Sequence, residues 1–62
     1  MYFQVRIDMS NASFAEPEYE LQRILLNIQQ RVGMGESEGS LRDTNGNSCG
    51  WFETILEELE DD

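Results

Sequence analysis

The side chains that dominate the chemistry of this chain are carboxylates. Its 62 residues include 13 Asp and Glu against four Lys and Arg, which gives a formal net charge of -9, and there is no histidine. Histidine supplies most general acid–base catalysis near neutral pH. Paired carboxylates can cleave glycosidic bonds, but so short a chain cannot build a sugar-binding cleft as well as a core. We therefore expect no enzymatic activity and no catalytic residues.

The single thiol, Cys49, adds little further chemistry. One cysteine cannot form an internal disulfide, and a zinc site needs several cysteine or histidine ligands. A nucleophilic cysteine is normally activated by a neighbouring base such as histidine, which this chain lacks. We expect a buried structural thiol, no metal site and no cofactor.

Two loops resemble ligand-binding motifs only in part. Residues 33–39 are rich in glycine, but they contain glutamates and lack the lysine that a phosphate-binding loop requires. Residues 43–47 begin like an EF-hand calcium loop, but Ser48 replaces the glycine of its sixth position and Thr54 the glutamate of its twelfth. A β-hairpin explains residues 43–47 better than a calcium site does.

The net negative charge also limits the classes of partner that the chain can bind. A strongly acidic chain repels nucleic acids and anionic membranes, because binding to them depends on Lys and Arg. A DNA-binding ribbon would have only Arg6 and Arg42 to offer, and the net charge opposes it. The expected partner is a basic surface of a protein that itself binds nucleic acid. The alternative is that the acidity only maintains solubility.

The candidate partner-binding residues are carboxylates at the start of the predicted helix and in the last segment of the chain. They are Glu16, Glu18, Glu20, Glu53, Glu57, Glu58, Glu60, Asp61 and Asp62. Carboxylates spaced along a surface can take the place of nucleic-acid phosphates against a basic groove.

Hydropathy patterns predict the elements that would position these groups. Apolar residues alternate over residues 2–9, which is typical of a half-buried strand, and residues 10–13 read as a turn. A helix is predicted from Pro17 to Gly33 or Gly35, since proline suits the first turn and glycine the C-terminal cap.

The second half of the chain predicts a hairpin. Asn45-Gly46 is a strong hairpin signal, and either a two-residue turn or a three-residue loop is compatible with it. We prefer the three-residue loop, with Gly46 left-handed, Asp43 accepting hydrogen bonds from the turn, and Leu41 beside Cys49 and Trp51. The final strand runs to about Ile55 and precedes an acidic tail.

The predicted fold is α+β, with the order β-α-β-β. One helix packs on one face of a three-stranded sheet of strand order 1-3-2, and the opposite face stays open. Residues 1–56 form a single domain and residues 57–62 the acidic C-terminal tail. The expected core comprises Phe3, Val5, Ile7, Leu21, Ile24, Leu25, Ile28, Val32, Leu41 and either Trp51 or Phe52.

Three segments also resemble a family of short proteins encoded by phages, prophages and mobile elements. They are residues 11–14, Glu20 with residues 23–25, and the G-x-L-R-D-x-N-G-N-x-x-G hairpin that starts at Gly39. The resemblance spans about residues 3 to 55 and implies no catalytic or binding residues. Short acidic proteins of such elements often inhibit host defence, as anti-CRISPR proteins and DNA mimics do.

Two functions follow as expectations. The first is a cytoplasmic inhibitor in a host cell that binds a basic surface of a nucleic-acid-processing or defence protein. The alternative is a structural or adaptor module that acts as a homodimer, since a second copy would enlarge a small core.

Overall fold

The computed structural model describes residues 1–56 and contains one helix and one sheet. The elements are β1 (Tyr2–Ile7), a 3-10 turn (Ala12–Phe14), α1 (Pro17–Gly33), β2 (Glu38–Arg42) and β3 (Ser48–Ile55). β3 pairs antiparallel with both other strands, in the order β1-β3-β2. The predicted α+β class and strand order are confirmed. The predicted tail, residues 57–62, lies outside the described residues.

β1 ends at Ile7, two residues before the predicted end at Met9. The Asp8 N–H still donates to the Cys49 carbonyl at 2.7 Å. The Asp8 carboxylate then accepts hydrogen bonds from the Ser10 N–H at 3.0 Å and the Ser10 hydroxyl at 2.8 Å. These local bonds turn the chain away from the sheet, which hydropathy alternation alone does not reveal.

α1 begins at Pro17, as predicted, and ends at Gly33, followed by the C-cap residue Met34 and then by Gly35. The Glu36 N–H donates to the Arg31 carbonyl at 3.1 Å, and the Gly35 N–H donates to the Val32 carbonyl at 3.0 Å. Gly35 has a φ of 97°, so the end of α1 is a Schellman motif. Within residues 1–56, no helix has both the length and the apolar character needed to span a membrane.

The hairpin between β2 and β3 has the predicted three-residue loop. The Asp43 N–H donates to the Asn47 carbonyl at 2.9 Å and the Gly46 N–H donates to the Asp43 carbonyl at 2.9 Å. Gly46 has a φ of 84°. The left-handed conformation and the preferred loop length are therefore both confirmed.

A β-bulge at Cys49 changes the register immediately beyond the loop. Arg42 pairs with Ser48, but Leu41 pairs with Gly50, so β3 contributes one extra residue. Because side chains alternate along a strand, this extra residue exchanges the two faces of β3 beyond it. Phe52 is consequently buried and Trp51 is exposed, which decides between the two predicted core residues. Leu41 belongs to the same buried cluster as Cys49. It does not lie beside Trp51, because its partner on β3 is Gly50.

The core is smaller than predicted and is centred on β2 and β3. The buried apolar residues are Phe14, Ile24, Ile28, Leu41, Cys49 and Phe52, with Ile7 packed against them. Four predicted core residues are instead about half exposed: Phe3, Val5, Leu25 and Val32. The helix is rotated toward β2, so it leaves much of β1 uncovered.

Two arginines of α1 explain this position. Arg31 Nη1 donates to the Ser40 carbonyl at 2.8 Å, and its guanidinium lies 4.9 Å from the centre of the Phe52 ring. Arg23 Nη2 donates to the Arg42 carbonyl at 2.9 Å. Charge-assisted hydrogen bonds of this kind tie the helix to the outer edge of β2.

We expect the Gly50→Ala substitution to lower the free energy of unfolding by about 1–3 kcal/mol, the usual effect of overpacking. A Cβ atom at Gly50 would lie 1.9 Å from the backbone oxygen of Arg6, which cannot move without breaking the β1–β3 pairing. Gly33→Ala is the matched control, because its added Cβ meets no atom within 4 Å beyond the neighbouring residues and backbone of its own helix. Urea unfolding followed by circular dichroism measures both variants, and equal stability would contradict the predicted close approach.

Candidate partner-binding surface

The predicted partner-binding carboxylates do not lie together. Glu16 and Glu18 are exposed at the start of α1, whereas Glu53 lies in the middle of β3. The candidates between Glu57 and Asp62 lie outside the described residues. The structure therefore gives two separate acidic regions in the described part of the chain, one on the helix and one on the sheet.

Glu20 is predicted to lie on the partner-binding surface, but it is buried. Its Oε2 accepts hydrogen bonds from Arg23 Nη2 at 2.6 Å and from the Thr44 N–H at 2.9 Å. Glu20 thus connects the first turn of α1 to the hairpin loop. Its carboxylate serves the fold, and it is removed from the candidate surface.

The sheet surface turned away from α1 is a more coherent candidate. Side-chain alternation about buried Phe52 places the following residues on it, here called the outer face: Gln4, Arg6, Glu38, Ser40, Trp51 and Glu53. Trp51 is central, with Arg6 opposite on β1 and Ser40 opposite on β2. The open sheet face predicted from the sequence is thus observed among the described residues, with a half-exposed indole at its centre.

Two carboxylates lie next to this indole on neighbouring strands. Glu38 pairs directly with Glu53 across β2 and β3. On the other side, Gln4 Nε2 donates to Glu53 Oε2 at 2.9 Å. The ion pairs of the described residues join Arg23 to Glu20 and Arg31 to Glu36. Within the described residues, neither Glu38 nor Glu53 takes part in an ion pair.

The outer face has a shallow depression at the β2 side of Trp51. It has a volume of ≈ 390 Å³ and is lined by Glu38, Gly39, Ser40, Trp51, Phe52 and Glu53. The depression suits a side chain of a partner better than a separate small molecule, because it is open and bounded by an aromatic ring and two carboxylates.

Sequence reasoning missed Glu38 and the exposed position of Trp51. The sequence contains one signal for them, which is the Gly50 that follows Cys49 in β3. Glycine within a strand often marks a bulge. A bulge placed at Cys49 would have shown Trp51 and Glu53 facing outward, with Glu38 opposite Glu53.

Asp43 organises the hairpin loop from a buried position. Burial raises the pKa of this carboxyl, but hydrogen bonds from the Asn47 N–H, the Ser13 hydroxyl and the Asn45 N–H outweigh burial and lower the pKa overall. The corresponding distances to Asp43 are 2.8, 3.0 and 3.0 Å. Asp43 therefore joins the loop to the 3-10 turn and has a structural function.

Cys49 is buried, as expected. Burial raises the pKa of its thiol, and the nearby carboxylates of Asp43 and Glu20 raise it further. A raised pKa keeps the sulfur protonated and weakly nucleophilic at neutral pH. Within residues 1–56, no three carboxylate or thiol side chains come together in a way that could hold a metal ion.

No family model matches this chain, and neither the curated proteins nor the solved structures include a significant match to it. The geometry of the outer face is accordingly the basis for a functional proposal.

We expect Asp43→Asn to reduce the acid sensitivity of the fold. Because the pKa of Asp43 is lower in the folded chain than the value of about 3.9 in an unfolded chain, ionised Asp43 stabilises the fold above about pH 4. This stabilisation is lost as the pH falls through the lower, folded-state value. The amide oxygen of the substituted side chain can still accept the two loop N–H bonds, so the variant should fold.

The measurement is thermal unfolding between pH 7 and pH 2, with Glu18→Gln as a control that removes one exposed carboxylate. Some acid sensitivity should persist in Asp43→Asn, because hydrogen bonds from Ser10 also lower the pKa of Asp8. If Asp43→Asn and Glu18→Gln follow the same curve, Asp43 does not make the predicted contribution.

Proposed function

We propose that this chain is a non-catalytic binding protein whose outer face occupies a cationic surface of a partner protein. The observation that carries the proposal is the cross-strand pair Glu38–Glu53 beside Trp51 on a sheet face that no described residue covers. An aromatic ring and two carboxylates together form a surface that is chemically complementary to arginine and lysine.

Each component contributes a different interaction. The indole of Trp51 can stack on a guanidinium group, and tryptophan gives the strongest cation–π interaction of the aromatic side chains. The carboxylates of Glu38 and Glu53 can accept charge-assisted hydrogen bonds from the same group. Arginine suits this arrangement better than lysine, because its planar group can stack and donate several hydrogen bonds together.

The electrostatic arrangement of the free chain favours such a partner. Like charges directly opposite each other on neighbouring strands destabilise a sheet. Gln4 supplies a neutral hydrogen bond to Glu53 but no compensating charge. A cationic side chain placed between Glu38 and Glu53 would remove the repulsion, so binding would relieve a cost that the free fold carries.

The overall charge extends this proposal to the class of partner. A chain of net charge -9 is attracted to basic surfaces, which are typical of proteins that bind nucleic acid. We therefore favour an inhibitor that covers such a surface on a nucleic-acid-processing or defence protein, in the manner of a nucleic-acid mimic. Glu16 and Glu18, exposed at the start of α1, lie apart from the outer face and are not part of this contact.

The direct test uses an oligoarginine peptide as the probe and Trp51 as the reporter, since the chain has one tryptophan. We expect the peptide to change the Trp51 emission at low salt and to lose affinity as the ionic strength rises. The double variant Glu38→Gln/Glu53→Gln should bind between about 2-fold and about 30-fold more weakly, if each exposed charge contributes about 0.2–1 kcal/mol.

The matched control is Glu16→Gln/Glu18→Gln, which removes the same charge from α1. It should bind the peptide much as the unmodified chain does. An equal loss in both double variants would show that only the net charge matters and would overturn the assignment to the outer face. A Trp51 emission that stays unchanged up to the highest peptide concentration would also overturn the assignment to the outer face.

A further inference from the structure

The two edges of the sheet differ in how their backbone groups are satisfied. At the edge of β2, the carbonyls of Ser40 and Arg42 accept hydrogen bonds from Arg31 and Arg23. Such coverage protects an edge strand from pairing with another chain. The β1 edge has no comparable cover among residues 1–56.

Backbone alternation identifies the open groups of β1. The Asp8 N–H donates toward β3, so the even-numbered residues of β1 point their backbone groups to β3. The N–H and C=O groups of Phe3, Val5 and Ile7 therefore point away from the sheet. An exposed row of this kind is a template for a further strand.

An apolar cleft lies directly beside this edge, between β1 and α1. It has a volume of ≈ 470 Å³, and its lining includes Phe3, Leu25, Ile28 and Val32. Phe3, Val5, Leu25 and Val32 are between 38% and 51% exposed. The uncovered backbone and the uncovered apolar side chains thus form one continuous surface.

We propose that a second copy of this chain occupies this surface, with the two β1 strands paired antiparallel about a two-fold axis at Val5. The two three-stranded sheets would then form one sheet of six strands. A two-fold axis through this edge must be perpendicular to the sheet, so both helices lie on the same side and the two apolar clefts face each other.

The register follows from the same symmetry. Residues that pair across a sheet share a face, so Phe3, Val5 and Ile7 must pair among themselves. With Val5 opposite Val5 of the second copy, Phe3 lies opposite Ile7, and all the outward backbone groups of these residues can form hydrogen bonds. No other two-fold register pairs these residues so completely.

The charge distribution favours a second copy as the occupant. β1 contains no acidic residue and one arginine, in a chain that is otherwise strongly acidic. This register places Arg6 opposite Gln4 of the second copy. Gln4 Nε2 donates to Glu53, and Gln4 Oε1 can accept from that Arg6. Two copies can therefore approach at β1 without bringing carboxylates together.

Sedimentation velocity over a concentration series tests the interface through two neighbouring leucines. Leu25 lines the cleft, whereas Leu26 is 53% exposed and does not line it. We expect the unmodified chain and Leu26→Glu to dimerise, and Leu25→Glu to remain monomeric at the same concentrations. The two variants add the same charge to adjacent positions of α1. A monomeric unmodified chain, or equal dissociation of both variants, would overturn the proposal.

Disulfide cross-linking tests the register. Residues of a hydrogen-bonded antiparallel pair have Cα atoms about 5.5 Å apart, a distance that a disulfide can bridge. Under oxidation Val5→Cys should give a covalent dimer, whereas Gln4→Cys should not, and buried Cys49 does not compete. A covalent dimer from Gln4→Cys alone would overturn the Val5 axis. These readouts do not involve oligoarginine, so either proposal can fail while the other stands.

Discussion

A single extra residue in β3 determines which side chains this small protein presents. The bulge at Cys49 directs both Cys49 and Phe52 toward α1 and leaves Trp51 and Glu53 on the outer face. Without the bulge, the hairpin loop would impose the opposite assignment, because a shift of one residue exchanges the faces of a strand. Gly50 makes the bulge compatible with the close approach of β1, where the backbone oxygen of Arg6 leaves no room for a Cβ atom. The buried core and the candidate surface thus depend on the same local feature.

The arginines explain how an acidic chain can hold a helix against a sheet of limited apolar content. Arg23 and Arg31 each bind a carboxylate and a backbone carbonyl of β2. They position α1 over β2 and β3, and they cover one edge of the sheet. The same placement draws α1 away from β1, so the exposed cleft is a consequence of how the other edge is protected. Internal use of two of the four arginines also leaves fewer cations to balance the surface carboxylates.

Much of the fold follows from local sequence signals. The helix start at Pro17, its glycine cap and the loop at Gly46 are each fixed by backbone chemistry that belongs to a few neighbouring residues. The hairpin makes β2 and β3 neighbours, and a right-handed crossover through α1 lets β3 pair between β1 and β2, which is the observed order. The rotation of α1 could not be predicted, because the apolar stripe does not show that Glu20 is buried and that its carboxylate accepts a hydrogen bond from the Thr44 N–H. Phe14 was missed because it lies in the 3-10 turn, outside any periodic pattern.

The candidate surface was less predictable than the fold, for a physical reason. Charge counts identify acidic residues, but a binding surface depends on which of them become neighbours, and neighbours on a sheet are set by register. Glu38 and Glu53 are distant in sequence and meet only through the β2–β3 pairing.

If two copies join at β1, their outer faces become one surface that carries two Trp51 side chains and two Glu38–Glu53 pairs. A partner with two suitably spaced basic sites would then bind more tightly than one site allows, since the second contact forms at a high effective concentration. The two proposals are in this sense complementary: edge pairing would build the extended surface, and the carboxylates beside each indole would give that surface a preference for cations.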